Sequence, residues 1–189
     1  MDRPLILYLH GFCSSPASWK SRLLAEAMAK RGRADASVCP QLSPVPAQAM
    51  AAMSQLIDAH DGPLTLVGSS LGGHYANHLA EKHNLRAVLV NPAAVDRINL
   101  QKFEGEHANF HTGERFTFTP EHSAQLRAQL APPTPARYWL LTEEGDEVLD
   151  WRDARDYYAG CRQTILHGGD HSFTQFPHFI PQILEFAGL

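Results

Sequence analysis

A glycine–serine–glycine pattern at residues 68–72 constrains the fold of this chain more than any other feature. The five residues read Gly-Ser-Ser-Leu-Gly, and they follow the apolar run 64–67 directly. A short strand, this pattern and then a helix-forming stretch are the sequence form of a tight strand-to-helix turn that carries a nucleophilic serine. Glycines two residues before and after the serine remove side chains that would collide in such a strained turn.

The spacing assigns the nucleophile to Ser70. Ser70 has glycine at both flanking positions, whereas Ser69 has Val67 two residues before it. The turn also places a helix N-terminus beneath the serine, where free N–H groups favour developing negative charge. Taken alone, the pattern also fits a glycine-rich turn that merely joins a strand to a helix. The assignment of Ser70 as a nucleophile therefore depends on the rest of the chain.

Apolar runs and helical periodicity alternate along the chain. We predict strands at 5–9, 36–39, 64–67, 87–90, 138–142 and 163–166, with helices at 19–28, 47–60, 72–83, 150–159 and 176–187. Strands separated by helices of this length predict an α/β fold: a mostly parallel sheet with helices on both faces. A length of 189 residues fits a single domain, 1–189.

The alternation breaks at about residues 96–135. This segment has no clean period and ends in the proline-rich connector 131–135. A long irregular insertion in a compact domain is usually a lid, a binding loop or disorder. We predict an irregular, cap-like lid over Ser70, and the alternative is a surface insertion far from it. The candidate covering side chains are Phe103, Phe110, Phe116 and Phe118.

A serine nucleophile needs a base, and the base needs an orienting acid. The strand at 138–142 is followed by an acidic loop that contains Asp146, and the strand at 163–166 is followed by a loop that ends in His171. Because loops at the carboxyl ends of parallel strands face one edge of the sheet, Ser70, Asp146 and His171 are expected to converge there.

Other side chains compete for both roles. The rival carboxylates are Glu143, Glu144, Glu147 and Asp150. We favour Asp146 because the glycine before it suggests a tight turn that re-aims the acid. His167 is the rival base, but it lies at the strand end, whereas His171 follows two glycines and can reach over the turn. Those glycines also exclude the helix that a metal pair of this spacing would need.

Stabilisation of an oxyanion needs two backbone N–H donors. One is expected from Leu71, the residue after the nucleophile. The second is expected from the loop after the first strand, where Gly11 lets the backbone approach closely and Phe12 supplies the N–H. His10 is interpreted as structural. A simple strand-ending turn is the alternative interpretation of this loop.

The remaining histidines and cysteines indicate no further site. His107 and His111 are interpreted as exposed loop residues, and His74 and His78 as helix surface, so we predict no metal. The chemistry needs no cofactor, and none is expected. The cysteines, which are odd in number and widely spaced, form neither a disulfide framework nor a metal motif: Cys13, Cys39 and Cys161.

Charge and hydropathy limit the partners. A formal net charge of −4 gives no basic surface for nucleic acid. No run approaches 18 apolar residues and no signal peptide is visible, so we expect no membrane association and a cytoplasmic location. The oligomeric state is left open.

Several motifs together resemble one family, the YqiA-like small bacterial esterases of the α/β-hydrolase superfamily. They span nearly the whole chain and lie at 7–12, 14–16, 68–73, 91–93, 145–150 and 168–171. The resemblance implies a compact α/β-hydrolase with esterase activity on small or acyl-CoA-type esters. It also implies Ser70 as nucleophile, Asp146 as acid and His171 as base. It is weakest at 101–135, where substrate choice would be set.

The combined prediction is a serine esterase that hydrolyses small carboxylic esters or acyl thioesters through an acyl-enzyme. A carbon–carbon bond hydrolase would use the same residues, because a fold does not determine its substrate. A ligand-binding protein without catalysis is the alternative from another class, although such a protein would be expected to lose one of the three residues. The substrate-binding residues are not assigned.

Overall fold

The computed structural model describes residues 3–189, which contain eight strands. They are β1 (Leu5–Leu9), β2 (Ser37–Val38), β3 (Leu64–Ser69), β4 (Arg86–Val90), β5 (Gly105–Ala108), β6 (Arg115–Phe118), β7 (Tyr138–Glu143) and β8 (Arg162–Leu166). Six of them form one sheet in the order β2-β1-β3-β4-β7-β8, and every neighbouring pair is parallel. The predicted parallel sheet is therefore confirmed.

Six α-helices surround this sheet. They are α1 (Trp19–Lys30), α2 (Pro46–Asp58), α3 (Leu71–His83), α4 (Pro120–Ala128), α5 (Trp151–Tyr157) and α6 (Phe176–Phe186). Short 3-10 helices lie at Ala34–Ala36, Leu100–Phe103 and Pro135–Arg137. None of the helices within residues 3–189 has both the length and the apolar character that a membrane crossing requires.

The continuous apolar run of β1 reflects burial on both faces. Ile6 and Tyr8 belong to the core that includes α1 and α6, whereas Leu7 and Leu9 belong to the core that includes α2 and α3. Because side chains alternate across a strand, a strand covered on both sides needs an apolar residue at every position. Helices on both faces were predicted and are found.

The segment after β4 contains more regular structure than its sequence pattern indicates. Strands β5 and β6 form an antiparallel hairpin in which His107 pairs with Phe116. Helix α4 follows, begins with a capping box at Thr119 and packs against α2. Phe118 and Leu126 of this segment are almost fully buried, so the insertion is built into the core.

Candidate active site

Ser70 lies at a strained turn between β3 and α3. Its backbone has φ 56° and ψ −123°, a left-handed conformation that a residue with a side chain rarely adopts. The flanking glycines are required by close approach, since a Cβ at Gly68 would collide with the Gly72 backbone and one at Gly72 would collide with the Leu9 backbone. The strand–turn–helix geometry predicted for residues 68–72 is present.

Backbone hydrogen bonds hold the turn in this conformation. The N–H of Ser70 donates to the carbonyl of Val90 at 3.0 Å. The carbonyl of Ser70 accepts from Gly73 at 2.9 Å and from Ala93 at 3.0 Å. These bonds tie Ser70 to the end of β4 and offset the strain of the turn.

The three residues predicted to converge lie in hydrogen-bond contact. His171 Nε2 is 3.1 Å from Ser70 Oγ, and His171 Nδ1 is 2.8 and 2.9 Å from the two carboxylate oxygens of Asp146. In a neutral imidazole, an Nδ1–H that donates to Asp146 leaves Nε2 without a proton, facing the hydroxyl. Such an arrangement can act chemically as a nucleophile, a general base and an orienting acid.

The acid is itself fixed in place. The Asp146 side chain is 1% exposed, and its Oδ1 accepts from the N–H groups of Val148 and Leu149, each at 2.9 Å. Glu147, a rival for the place of Asp146, instead contacts the backbone of His171. Its Oε2 accepts from the His171 N–H at 3.0 Å.

Glycines bring the acid loop against the base loop. Gly145 donates to the carbonyl of Gly168 at 2.8 Å, and a Cβ at Gly145 would lie 2.9 Å from that carbonyl oxygen. A Cβ at Gly169 would collide with the carboxyl group of Glu143. The two loops can therefore pack closely enough for the imidazole and the carboxylate to meet.

The rival residues lie elsewhere. His167 is fully exposed, and its Nδ1 contacts Glu144 at 2.8 Å. Asp150 caps α5. Glu143 is completely buried, and its Oε2 accepts from the Asp170 N–H at 2.9 Å, so it braces the base loop.

Asn91, directly after β4, has a role that the sequence did not predict. Its Nδ2 donates to the carbonyls of Asp170 and His171 at 3.0 and 3.2 Å, while its Oδ1 accepts from Thr142 Oγ1 and the Glu143 N–H. Its left-handed backbone, φ 41°, is a conformation that asparagine tolerates. Asn91 thus joins the end of β4 to the loops that carry Asp146 and His171.

The expected oxyanion donors flank the nucleophile. Leu71 is the first residue of α3, so its N–H has no partner in its own helix. Gly11 lies against the nucleophile, since a Cβ there would be 3.3 Å from Ser70 Cβ and 3.7 Å from its Oγ. Phe12 follows directly, and within residues 3–189 its N–H donates to no backbone carbonyl.

His10 has the structural role expected of it. It is buried, its Nε2 accepts from the Leu42 N–H at 3.0 Å, and its Nδ1–H therefore donates to the carbonyl of Gly11 at 3.0 Å. Burial lowers the pKa of His10. The neutral imidazole consequently fixes the start of the loop that carries Phe12.

A cavity of about 670 Å³ opens at Ser70 and His171. Its lining is mainly apolar and includes Val95, Ile98, Leu100, Phe103, Phe118 and Leu126. Trp19, Phe110 and Val148 also line it and are solvent-exposed, so they mark its mouth. Such a cavity suits an apolar acyl group next to a small number of polar groups.

The inserted segment supplies part of this lining. Of the four phenylalanines predicted to cover Ser70, three line the cavity: Phe103, Phe110 and Phe118. Phe116 lines a neighbouring cavity of about 320 Å³ instead, and packs edge-to-face on Phe12. Whether the segment opens and closes stays a prediction.

A lysine lies beside the carboxylates of the site. Lys20 lines the cavity, and its Nζ donates to the carbonyl of Ser172 at 2.7 Å. Burial lowers the pKa of Lys20 to about 8, and the carboxylates of Asp170, Glu143 and Asp146 oppose that lowering. The ammonium group therefore offsets part of the negative charge behind the base.

Two interpretations of the histidines were wrong. His107, expected in an exposed loop, lies on β5 and is half-buried. His74 is 3% exposed rather than on the helix surface, because α4 and the residue Gln129 after it cover that face of α3. Burial and the nearby His78 lower the pKa of His74 to about 4. Within residues 3–189 no three His, Cys, Asp or Glu side chains are grouped as a metal ion would require.

Solved structures with the same fold are hydrolases. A structure of the metagenome-derived lipolytic enzymes LipS and LipT matches with a TM-score of 0.70 at 19% identity, over 99% of this chain and 94% of that one. Mouse alpha/beta hydrolase domain-containing protein 10 matches with a TM-score of 0.69 at 19% identity, over 98% and 90%. The monoacylglycerol lipase of Paleococcus ferrophilus matches with a TM-score of 0.69 at 15% identity, over 98% and 94%. These matches confirm the predicted α/β-hydrolase fold.

A family model matches residues 5–188, which is nearly the whole chain. The family is described as an uncharacterised protein family, UPF0227, and it is the YqiA-like family that the sequence motifs resemble. The chain therefore belongs to the UPF0227 family.

Proposed function

We propose that this protein is a serine hydrolase that cleaves small carboxylic esters or acyl thioesters through an acyl-enzyme. The observation that carries the proposal is the 3.1 Å contact between His171 Nε2 and Ser70 Oγ at a strained turn, with Asp146 on the other ring nitrogen. The lipolytic activities named for proteins of the same fold support it as well.

The chemistry follows from the positions of these groups. His171 takes the proton of Ser70 Oγ as that oxygen attacks the substrate carbonyl, and the imidazolium is stabilised by Asp146. The N–H groups of Phe12 and Leu71 would receive the oxyanion. His171 then protonates the leaving alcohol or thiol, and a water molecule repeats the sequence to release the acid.

The apolar cavity beside Ser70 favours an ester with a hydrocarbon acyl group. Its volume of about 670 Å³ is in the range of ordinary small-molecule sites. A carbon–carbon bond hydrolase would use the same three residues, so substrate profiling must separate it from an esterase. A ligand-binding protein without catalysis would have no need for the three-residue contact.

Labelling with a fluorophosphonate probe, followed by mass mapping, tests the proposal. We expect the probe on the peptide that contains Ser70, and no labelling of Ser70→Ala. Hydrolysis of p-nitrophenyl acetate by the same preparations supplies the second measurement. An unlabelled wild-type protein without ester hydrolysis would exclude the serine hydrolase.

A further inference from the structure

The hairpin β5–β6 encloses the side chain of the residue that carries an expected oxyanion donor. The Phe12 ring makes edge-to-face contacts with His107, Phe116 and Phe118, whose ring centroids lie 4.8, 5.7 and 5.5 Å away. Phe103, just before the hairpin, adds a fourth such contact at 6.1 Å. Edge-to-face contacts are directional, so four of them define the ring's orientation as well as its position.

The hairpin also binds the backbone of the same loop. The N–H of Phe110 donates to the carbonyl of Cys13 at 2.8 Å, and Asn109 Nδ2 donates to the carbonyl of Ser14 at 2.7 Å. Cys13 has φ 55°, which is unfavourable for a residue with a side chain. Contacts from outside the loop must therefore hold this conformation.

Asn109 is organised for this contact. It is 9% exposed, and its Oδ1 accepts from the N–H groups of His111 and Thr112 at 2.9 and 3.1 Å. Those two bonds fix the side-chain amide, so its NH2 group faces Ser14. The Asn109 Oδ1 therefore stabilises the turn of the hairpin, and its Nδ2 binds the loop after β1.

We propose that the hairpin β5–β6 positions the Phe12 N–H for the oxyanion, and that Asn109 is the positioning residue through which its tip holds the loop. The proposal rests on the proposed serine hydrolase. It makes the inserted segment part of the machinery that stabilises charge, in addition to being a wall of the acyl cavity.

Small displacements of an oxyanion donor have large kinetic effects. Removal of one such donor lowers turnover roughly 10²- to 10³-fold, and a shift of about 1 Å costs up to about 10²-fold. A loosened Phe12 loop should therefore lower kcat by about tenfold or more while KM changes little.

The variant Asn109→Asp tests the positioning contact. It keeps the oxygen that accepts from His111 and Thr112, but places a carboxylate oxygen against the Ser14 carbonyl, where no hydrogen bond is possible. The matched control is Arg115→Met, on the same hairpin, because its exposed ion pair with Glu106 does not touch the loop. Phe116→Leu is the second test variant, since it removes one edge contact and retains apolar bulk.

Three measurements decide the outcome: kcat and KM for p-nitrophenyl acetate, the inhibition constant of phenylboronic acid, and the melting temperature. Boronic acids form a tetrahedral adduct with the serine, so their affinity reports on the oxyanion site. We expect both Asn109→Asp and Phe116→Leu to lose kcat and boronic acid affinity in parallel, with Arg115→Met unchanged. If Asn109→Asp does not fold, Phe116→Leu decides alone.

Two results would overturn the proposal. Undiminished kcat in a folded Asn109→Asp or Phe116→Leu protein would exclude a positioning role, and a loss confined to KM would assign the hairpin to substrate binding alone. If the wild-type protein neither hydrolyses the ester nor reacts with fluorophosphonate, the proposed serine hydrolase function is excluded, and the positioning role with it. If the wild type is active and both test variants retain its kcat, only the positioning role of the hairpin is excluded.

Discussion

Asn91 Nδ2 lies 3.2 Å from the backbone carbonyl of His171, so the end of β4, where Val90 accepts from the Ser70 N–H, also holds the loop that carries His171. The same amide donates to the carbonyl of Asp170, and its oxygen accepts from the end of β7. One uncharged side chain therefore connects three loops, and only an amide can donate to two carbonyls while it accepts from an N–H.

Asn91→Asp should lower kcat for ester hydrolysis by about tenfold or more, because a carboxylate oxygen would face the two carbonyls and displace the base. Asn99→Asp is the control, since Asn99 only accepts, from the N–H of Gln101, and aspartate can do the same. Steady-state kinetics with p-nitrophenyl acetate compare the two. Equal kcat in both variants would exclude Asn91 from positioning His171.

Ser70→Ala should abolish ester hydrolysis with little change in melting temperature, because it removes only the nucleophilic oxygen. Ser69→Ala should retain hydrolysis, since Ser69 is a buried residue of β3. Active-site titration with fluorophosphonate and thermal melts measure both effects. Activity in Ser70→Ala together with inactivity in Ser69→Ala would contradict the assignment of the nucleophile.

Asp146→Asn should leave the fold intact and lower kcat by up to about 10⁴-fold, because an amide favours the wrong imidazole tautomer. Glu144→Gln, which alters only the partner of exposed His167, is the control. Undiminished kcat in a folded Asp146→Asn protein would exclude Asp146 as the orienting acid.

Burial of His74 predicts a loss of stability in acid. Its pKa is about 4 in the folded protein and about 6.5 when exposed, so the unfolded chain binds the proton more tightly between those values. The free energy of unfolding should therefore fall as the pH drops from 6.5 towards 4, by up to about 2–3 kcal/mol. The stability is fully present above pH 6.5.

His74→Gln should lose less stability over that range, because glutamine does not titrate. His178→Gln, at an exposed histidine, serves as the control and should behave like the wild type. Urea unfolding at pH 7 and pH 4.5 gives the comparison. If His74→Gln and the wild type lose the same free energy, another group is responsible for the acid sensitivity.

Ile98→Trp tests the insertion as a wall of the acyl cavity. Ile98 is half-buried and lines the cavity, so a larger ring there should occupy space that long acyl chains need. We expect kcat/KM to fall more for longer p-nitrophenyl esters than for the acetate. Leu130→Trp, which is in the same segment but outside the cavity lining, is the control. An unchanged chain-length profile in Ile98→Trp would count against this role.

The parallel sheet and the three converging residues were predictable because each depends on local signals. Apolar runs mark doubly covered strands, and Ser70, Asp146 and His171 each follow a strand at the same edge of the sheet. The glycine beside Asp146 and the two before His171 distinguish them from their neighbours. In each case a few consecutive residues carry the relevant chemistry.

The features that escaped prediction depend on contacts distant in sequence. The strands of the hairpin have four residues each and are half-exposed, so their alternation is too short to identify. In the sequence, His74 has the spacing of a helix-surface residue. It is buried because α4, some 50 residues later in the chain, packs over it. The role of Asn91 depends on carbonyls 79 and 80 residues away, which no local pattern indicates.

The packing of Gly72 against Leu9 limits where the cavity of this protein can change. A Cβ at Gly72 would also lie 2.7 Å from the carbonyl oxygen of His10, so the helix after Ser70 rests directly on the backbone that leads to Phe12. The nucleophile and the proposed oxyanion donors thus form one rigid block that a single added methyl group would separate. Changes in the shape of the cavity are therefore expected from lining residues outside that block, such as Ile98 and Val148.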